Sequence, residues 1–255
     1  MVSRIRPEFG SVEDLYLMLF IVHAWQLDEP QAIHCVSSLR QFYPDVKLLA
    51  IADGEDLTGQ LREHCAAVGA MYHAGKRLKI WLDRQRSSVR WLVRLFELAV
   101  QHTEPGETVV CFDADCEMRR PFQHWPNDLL FGQPIISDRR LPGHLIQGSC
   151  YGFRREFADR VLASQLLTAP DSRYRSATFT TNKFRIHPKV YPNTPDELRT
   201  ARICCDDRTL STVALELQVP IGDWSSELGL LTLYMHQGWD WDPYWEGKAV
   251  VHPVL

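Results

Sequence analysis

The chain has no long hydrophobic run, no Asn-x-Ser/Thr sequon, no internal repeat and no low-complexity linker. Its most apolar stretch, Leu15 to Val22, falls well short of the roughly 20 residues that a bilayer-crossing helix needs, and reads instead as a core strand. Met1 to Gly10 carries Arg4, Arg6, Pro7 and Glu8 and lacks the apolar centre of a secretory signal. Neither sign of charge dominates: 28 Lys and Arg against 32 Asp and Glu leave a net charge of -4. That gives no electrostatic case for nucleic acid as the main partner. The seven cysteines are odd in number, and the adjacent Cys204-Cys205 suits neither a zinc knuckle nor a disulfide framework. Cys35, Cys111 and Cys150 lie in apolar segments and read as small core residues. The expectation is a reducing, cytoplasmic setting. A glycine-rich phosphate loop is also missing after the first apolar segment, where Val22-His23-Ala24-Trp25 stands. This argues against a nucleotidyltransferase.

What is present alternates between strand and helix signals. Leu15–Val22 reads as a strand. Asp28-Glu29-Pro30 opens a helix, with Asp as cap and Pro in the first turn. Ala32, Ile33, Val36, Leu39 and Phe42 follow at helical spacing. Lys47–Ala52 is a second strand ending at Asp53-Gly54. Leu57–Val68 is a helix and Gly69–Tyr72 a third strand. Ser87–Val100 is a helix through Val89, Leu92, Val93, Phe96 and Val100. Pro105-Gly106 then turns the chain into a strand ending at Asp113. Such a β-α-β-α-β-α-β run predicts a Rossmann-type, mostly parallel sheet flanked by helices.

The second half is mixed. Ile135–Ser137 and Leu145–Phe153 read as strands, and Arg155–Leu167 and Asp206–Leu217 as helices. Thr168 to Thr200 has little periodicity and reads as a long functional loop. A chain of 255 residues is one large domain or two small ones. The expectation is a single domain over 1–255, with a nucleotide-binding half of about 12–115 and an acceptor-binding half of 116–255.

The run Val109-Val110-Cys111-Phe112-Asp113-Ala114-Asp115 is a buried strand that ends in two carboxylates spaced one residue apart. In open α/β sheets, ligands bind outside the carboxyl ends of the strands. Two carboxylates there repel unless a cation or donor groups balance them, and oxygen ligands suit Mg²⁺ or Mn²⁺. Loop aspartates that cap turns are also common. From these residues alone, a metal site and a structural turn both stand open.

The stretch VVCFDADCEMRRPF resembles the D-x-D region of GT-A-fold, nucleotide-sugar-dependent glycosyltransferases. Four further segments resemble that family in the same order. LLAIADGED is similar to its second strand, which implies nucleotide contact by Asp53. QGSCYGFRREF is similar to its central segment beside donor and acceptor, with Gly148 and Ser149 at the site. CCDDRTLSTVAL is similar to its acidic-pair helix start, which implies Asp207 as catalytic base beside Asp206 at the acceptor. KAVVHPVL is similar to its last strand, whose histidine completes the metal site; here that is His252. The family often has Glu-Asp where this chain has Asp206-Asp207, and Thr168–Thr200 matches nothing in it.

The resemblance implies a GT-A-like fold and a metal-dependent glycosyltransferase. The donor would be a nucleoside-diphosphate sugar, UDP-linked by preference, and the acceptor a hydroxyl on a glycan, a lipid-linked glycan or a small molecule. Mn²⁺ or Mg²⁺ would sit on Asp115, Asp113 and His252. Donor-side candidates are His23, Asp53, Lys79, Arg94, Asp113 and Ala114. Lys79 and Arg94 belong to a basic set that a solvated charged face also explains, although arginine suits bidentate phosphate contact. Asp206 and Asp207 open a helix, where aspartate is favoured as a cap and by the dipole. An acceptor hydroxyl needs a base; the resemblance implies Asp207 in that role, with inversion at the anomeric carbon, and retention stays open because inversion rests on Asp207 alone. Aromatics are dense near the C-terminus, at Trp224, Tyr234, Trp239, Trp241, Tyr244 and Trp245. Core packing explains most of them, and Trp224, after Gly222-Asp223, is the candidate acceptor platform.

Two other readings stay open. A haloacid-dehalogenase-like phosphohydrolase also places Asp-x-Asp after an apolar strand and uses a later acidic pair, with Lys183 or Lys189 as basic partner. Against it, that nucleophile strand is normally the first, and Glu117 stands where a Thr or Val is usual. A non-catalytic nucleotide-sugar-binding protein would keep the same residues.

Overall fold

The computed structural model describes residues 17–25, 28–54, 59–78, 80–81, 89–134, 145–170, 181–185, 200–204, 206–230 and 246–252. Of residues 80–81, 181–185, 200–204, 206, 208 and 252 the backbone alone is described. Lys79, Ile135–Ser137, Lys189, Tyr234, Trp239, Trp241, Tyr244 and Trp245 lie outside the described residues.

The central sheet has seven strands. In chain order they are β1 (Met18–Ala24), β2 (Lys47–Asp53), β3 (Met71–Gly75), β5 (Thr108–Asp113), β7 (Leu130–Pro134), β8 (Ile146–Arg154) and β11 (Ile221–Asp223). Their spatial order is β11-β7-β8-β5-β1-β2-β3. β1 pairs in parallel with both β2 and β5, and β2 with β3. β8 runs antiparallel to β5 and to β7. The parallel half and the antiparallel half therefore meet at β5.

β1 is buried along its whole length, because helices cover both faces of the sheet. Strands covered on both faces read as continuous apolar runs. Successive side chains point to opposite faces. Phe20 and Val22 of β1, Leu48 and Ala50 of β2, and Val110 and Phe112 of β5 join one core layer. Leu19 and Ile21, Leu49 and Ile51, and Val109 and Cys111 join the other. The first layer is closed by α1 (Glu29–Phe42) through Cys35, Val36 and Leu39, and by α2 (Gln60–Ala67) through Leu61 and Cys65. The second is closed by α3 (Arg90–His102), α4 (Arg155–Ser164) and α5 (Asp206–Glu216), through Leu92, Leu95 and Phe96, Phe157 and Val161, and Leu210 and Val213.

α1 begins as the sequence predicts, with Pro in its first turn, but Asp28 makes no side-chain cap. Its Oδ1 accepts instead from the Trp25 backbone N–H at 2.6 Å, which ties the end of β1 to the helix start.

Two smaller sheets complete the described structure. The strands β4 (Ile80–Trp81), β9 (Thr181–Arg185) and β10 (Thr200–Cys204) form one, in the order β4-β10-β9. This corrects the reading of Thr168–Thr200 as loop throughout: β9 and β10 pair antiparallel, with Thr200 opposite Arg185 and Cys204 opposite Thr181. The other sheet, β12-β13-β6, joins β6 (Glu117–Met118), β12 (Leu228–Leu230) and β13 (Val250–His252). No helix among the described residues is long and apolar enough to cross a membrane.

Candidate active site

β1 is followed by β2 and β3 on one side, and the chain then returns to lay β5 on its other side. The strand order reverses between β1 and β5, and such switch points open a crevice at the carboxyl ends of the strands. The residues at that crevice are His23 on β1, opposite Asp113 on β5, with Asp53 at the end of β2. His23 Nδ1 lies 4.0 Å from Asp113 Oδ1, and its Nε2 lies 3.9 Å from Asp53 Oδ2. The imidazole is buried between the two carboxylates and packs on Trp91, with ring centroids 4.3 Å apart.

Asp113 and Asp53 differ in exposure. The Asp113 side chain is 30% exposed, whereas that of Asp53 is fully buried. Asp53 Oδ1 accepts from the Leu78 backbone N–H at 2.6 Å and from Arg94 Nη2 at 3.0 Å. Arg94 Nη1 in turn donates to the Lys76 carbonyl at 2.8 Å, and its guanidinium lies over Trp91. Burial lowers the Arg94 pKa and the Asp53 charge opposes that effect. Asp53 and Arg94 thus form the wall of the crevice and hold the 76–78 segment against it.

After Asp113 the chain turns sharply. Cys116 N–H donates to the Asp113 carbonyl at 3.1 Å, Ala114 is buried beneath the turn, and Asp115 is half-buried. Below the turn lie three buried thiols, Cys35, Cys116 and Cys150. Burial pushes all three well above their usual range. The charge of Asp113 adds to the rise at all three, and that of Asp115 at Cys35 and Cys116. The charges of the two aspartates therefore reach the thiols packed beneath them.

A small crevice lies beside this turn, lined by His23, Trp91, Asp113, Gly148 and Tyr151 among others, most of them buried. Gly148 enters it because β8 pairs antiparallel with β5 up to Cys150 opposite Phe112, so the residues preceding Cys150 run past the Asp113 end. Ser149 is buried, and its carbonyl accepts from the Cys116 thiol at 3.3 Å. Asp207 is half-buried in the first turn of α5. Its carbonyl accepts from Ser211 Oγ at 2.6 Å, and Ser211 Oγ accepts from the Ile146 N–H at 3.2 Å. These bonds fasten the start of α5 to β8 just before Gly148. Asp206 is described as backbone alone, at the first residue of that helix.

His252 is the last residue of β13. Val250 faces Met118 and Val251 faces Glu117 in antiparallel register, so the chain of His252 continues toward Cys116 and the Asp113–Asp115 turn. Among the described residues, no three His, Cys, Asp or Glu side chains converge closely enough to hold a metal; the His252 side chain is not among those described.

Trp224 requires a correction. It is 1% exposed, stacks on Phe122 at 4.4 Å, meets Phe131 edge-on at 4.9 Å, and donates from Nε1 to the His124 carbonyl at 2.7 Å. A ring enclosed by aromatic neighbours has no face to offer a sugar, so Trp224 is a core residue. Trp91 and Tyr151, each 2% exposed, are core side chains whose edges reach the crevice, and sequence reasoning missed both. The available signal was the spacing of Trp91 and Arg94 on one face of α3.

No protein-family model and no curated relative matches the sequence. Two solved structures of the galactosyltransferase LgtC match in fold. One, in complex with donor and acceptor sugar analogues, has a TM-score of 0.52 at 11% identity, over 92% of this chain and 86% of that one. The other, an active-site mutant of LgtC, has a TM-score of 0.51 at 11% identity, with the same coverage of 92% and 86%. The chain has a GT-A-like fold. In GT-A terms, β1, β2, β3 and β5 form the parallel half of the sheet, and the Asp113–Asp115 turn stands where that half meets the antiparallel strands.

Proposed function

We propose that this protein is a metal-dependent glycosyltransferase that moves a sugar from a nucleoside-diphosphate sugar to an acceptor hydroxyl. The observation that carries this reading is Asp113 and Asp115 at the switch point, beside a pocket walled by His23, Trp91 and Gly148. The GT-A-like fold supports it.

Asp115, Asp113 and His252 would hold a Mn²⁺ or Mg²⁺ ion, and the donor set of two carboxylates and an imidazole suits either. The bound ion supplies Lewis-acid stabilisation of the diphosphate that leaves. The residues of the chain do the rest. His23, Ala114 and Asp113 line the donor side, while Asp53 and Arg94 brace the wall that the donor packs against; Lys79, outside the described residues, stays a donor-side candidate from the sequence alone. UDP-sugars are the first donors to test. Gly148 and Ser149 border the space between donor and acceptor, and glycine there lets a sugar approach the backbone closely. Asp207 takes the proton of the acceptor hydroxyl as it attacks the anomeric carbon, which gives inversion. Asp206 stands beside it on the acceptor side.

The test is release of nucleoside diphosphate from a panel of sugar nucleotides with Mn²⁺, comparing the parent protein with Asp207→Asn. The expected result is turnover of one donor by the parent, and its loss in Asp207→Asn with donor affinity unchanged. Near-normal transfer by Asp207→Asn would remove the base assignment.

A further inference from the structure

Arg120 and Glu227 form an ion pair that neither the nucleotide pocket nor the acidic turn uses. Arg120 Nη1 meets Glu227 Oε2 at 2.7 Å, and the carboxylate is 1% exposed. The same guanidinium donates from Nε and Nη2 to the Gly247 carbonyl, at 2.8 and 2.6 Å, and from Nη1 to the Pro121 carbonyl at 2.8 Å. Glu227 Oε2 also accepts from the Gln123 N–H at 3.2 Å. The Glu227 backbone carbonyl accepts from Ala249 N–H at 2.7 Å and Val250 N–H at 3.2 Å. One pair of residues therefore grips the chain leaving β6, the turn entering β12, and the Gly247 turn that launches β13.

The register that follows is continuous. Arg119 N–H donates to the Ala249 carbonyl at 2.8 Å, Val250 faces Met118, and Val251 faces Glu117. The next residue on β13 is His252, and the next on the facing chain leads back to Asp115. We propose that Arg120 and Glu227 are positioning residues: by fixing where β13 starts against β6, they set His252 against Asp115. The arginine fork suits this task, because two of its donors converge on one carbonyl and a third holds the carboxylate. Arg120 and Glu227 touch neither Asp115 nor His252; they act through the backbone that carries His252, by fixing the start of β13. The inference rests on the reading of Asp115 and His252 as metal ligands.

The experiment is a Mn²⁺ titration followed by electron paramagnetic resonance, in the presence of excess UDP, on five proteins: the parent, Asp115→Ala, Arg120→Ala, Arg120→Lys and Glu107→Gln. Glu107 serves as the control. It is buried and paired with Lys47 at 2.9 Å, as Glu227 is with Arg120, but it lies at the opposite end of β5 from Asp113. The expected result is Mn²⁺ binding by the parent with a nitrogen coupling from histidine. Affinity should fall about tenfold or more in both Arg120 variants, with the nitrogen coupling weakened, and should be unchanged in Glu107→Gln. Arg120→Lys keeps the charge opposite Glu227 and carries the test if Arg120→Ala does not fold. Parent-like affinity and coupling in Arg120→Lys would overturn the proposal, as would an equal loss in Glu107→Gln. Parent-like binding by Asp115→Ala, or none by the parent, would instead overturn the metal reading and this inference with it.

Discussion

Arg94 reaches across from α3 to hold the fully buried carboxylate of Asp53 at 3.0 Å, and with its other nitrogen holds the Lys76 carbonyl. The pair links the second strand of the sheet to the segment that walls the pocket. It fixes the Asp53 carboxylate in place inside the protein.

Removing Arg94 alone leaves that carboxylate buried without its guanidinium, though the Leu78 N–H still donates to it. Arg94→Met should cost about 3–5 kcal/mol, the usual cost of breaking a buried pair from one side. Arg94→Met combined with Asp53→Leu should recover part of that loss. Urea unfolding of the two single variants and the double variant checks the sign of the coupling. Additive losses would show that the pair does not act as a unit.

Gly75 gives a second route to the same contact. A Cβ placed there would collide with Arg94 Nη1. Gly75→Ala should therefore push the guanidinium off Asp53 and lower stability. In an Arg94→Ala background the same substitution should cost much less. The comparison needs thermal melts of four proteins.

The buried thiols predict an alkaline limit. Unfolded, Cys35 and Cys150 ionise near 9; folded, burial holds them protonated well above that. Above pH 9 the native state then carries more protons than the unfolded chain, so stability falls as pH rises. Cys65, pushed up to about 11, adds to the slope in the same direction. Denaturant melts between pH 7.5 and 10 should show the decline, and Cys35→Ala with Cys150→Ala should flatten it. A stability that rose over this range would contradict the burial of these thiols.

Trp224 should behave as a core residue. Trp224→Ala should cost about 3–5 kcal/mol, and Trp224→Phe should restore much of it while losing the bond to the His124 carbonyl. If either variant kept parental stability and lost acceptor binding, the ring would belong to a binding face after all.

The central strands were legible because their environment leaves a simple mark. Leu19 to Val22 and Val109 to Phe112 are apolar without interruption, as strands covered on both faces must be. The long helix showed itself through Leu92 and Phe96, which face one core layer at helical spacing. β7 was not legible, because Gly132 and Pro134 break its pattern and the strand tolerates them only through an irregular register with β8. β9 and β10 were hidden for a different reason: Thr181–Arg185 and Thr200–Cys204 have no apolar run, and their strand state comes from pairing with each other and with β4. At the site, the ends of β1, β2 and β5 were legible as acidic or polar residues closing apolar runs. Trp91 was not, since an aromatic inside a helix looks the same whether it meets core or pocket. Trp224 was misread because a Gly-Asp turn before it resembles a surface loop, while its burial comes from Phe122 and Phe131.

The account rests on Asp113 and Asp115 as a cation–diphosphate site. The most direct measurement is thermal unfolding with a panel of nucleoside diphosphates, with and without Mn²⁺, for the parent and Asp115→Ala. Stabilisation by ligand follows mass action. The account predicts a rise in Tm with one nucleoside diphosphate that requires Mn²⁺ and is absent from Asp115→Ala. No rise with any nucleotide, alongside turnover of a phosphate ester by the same protein, would contradict it.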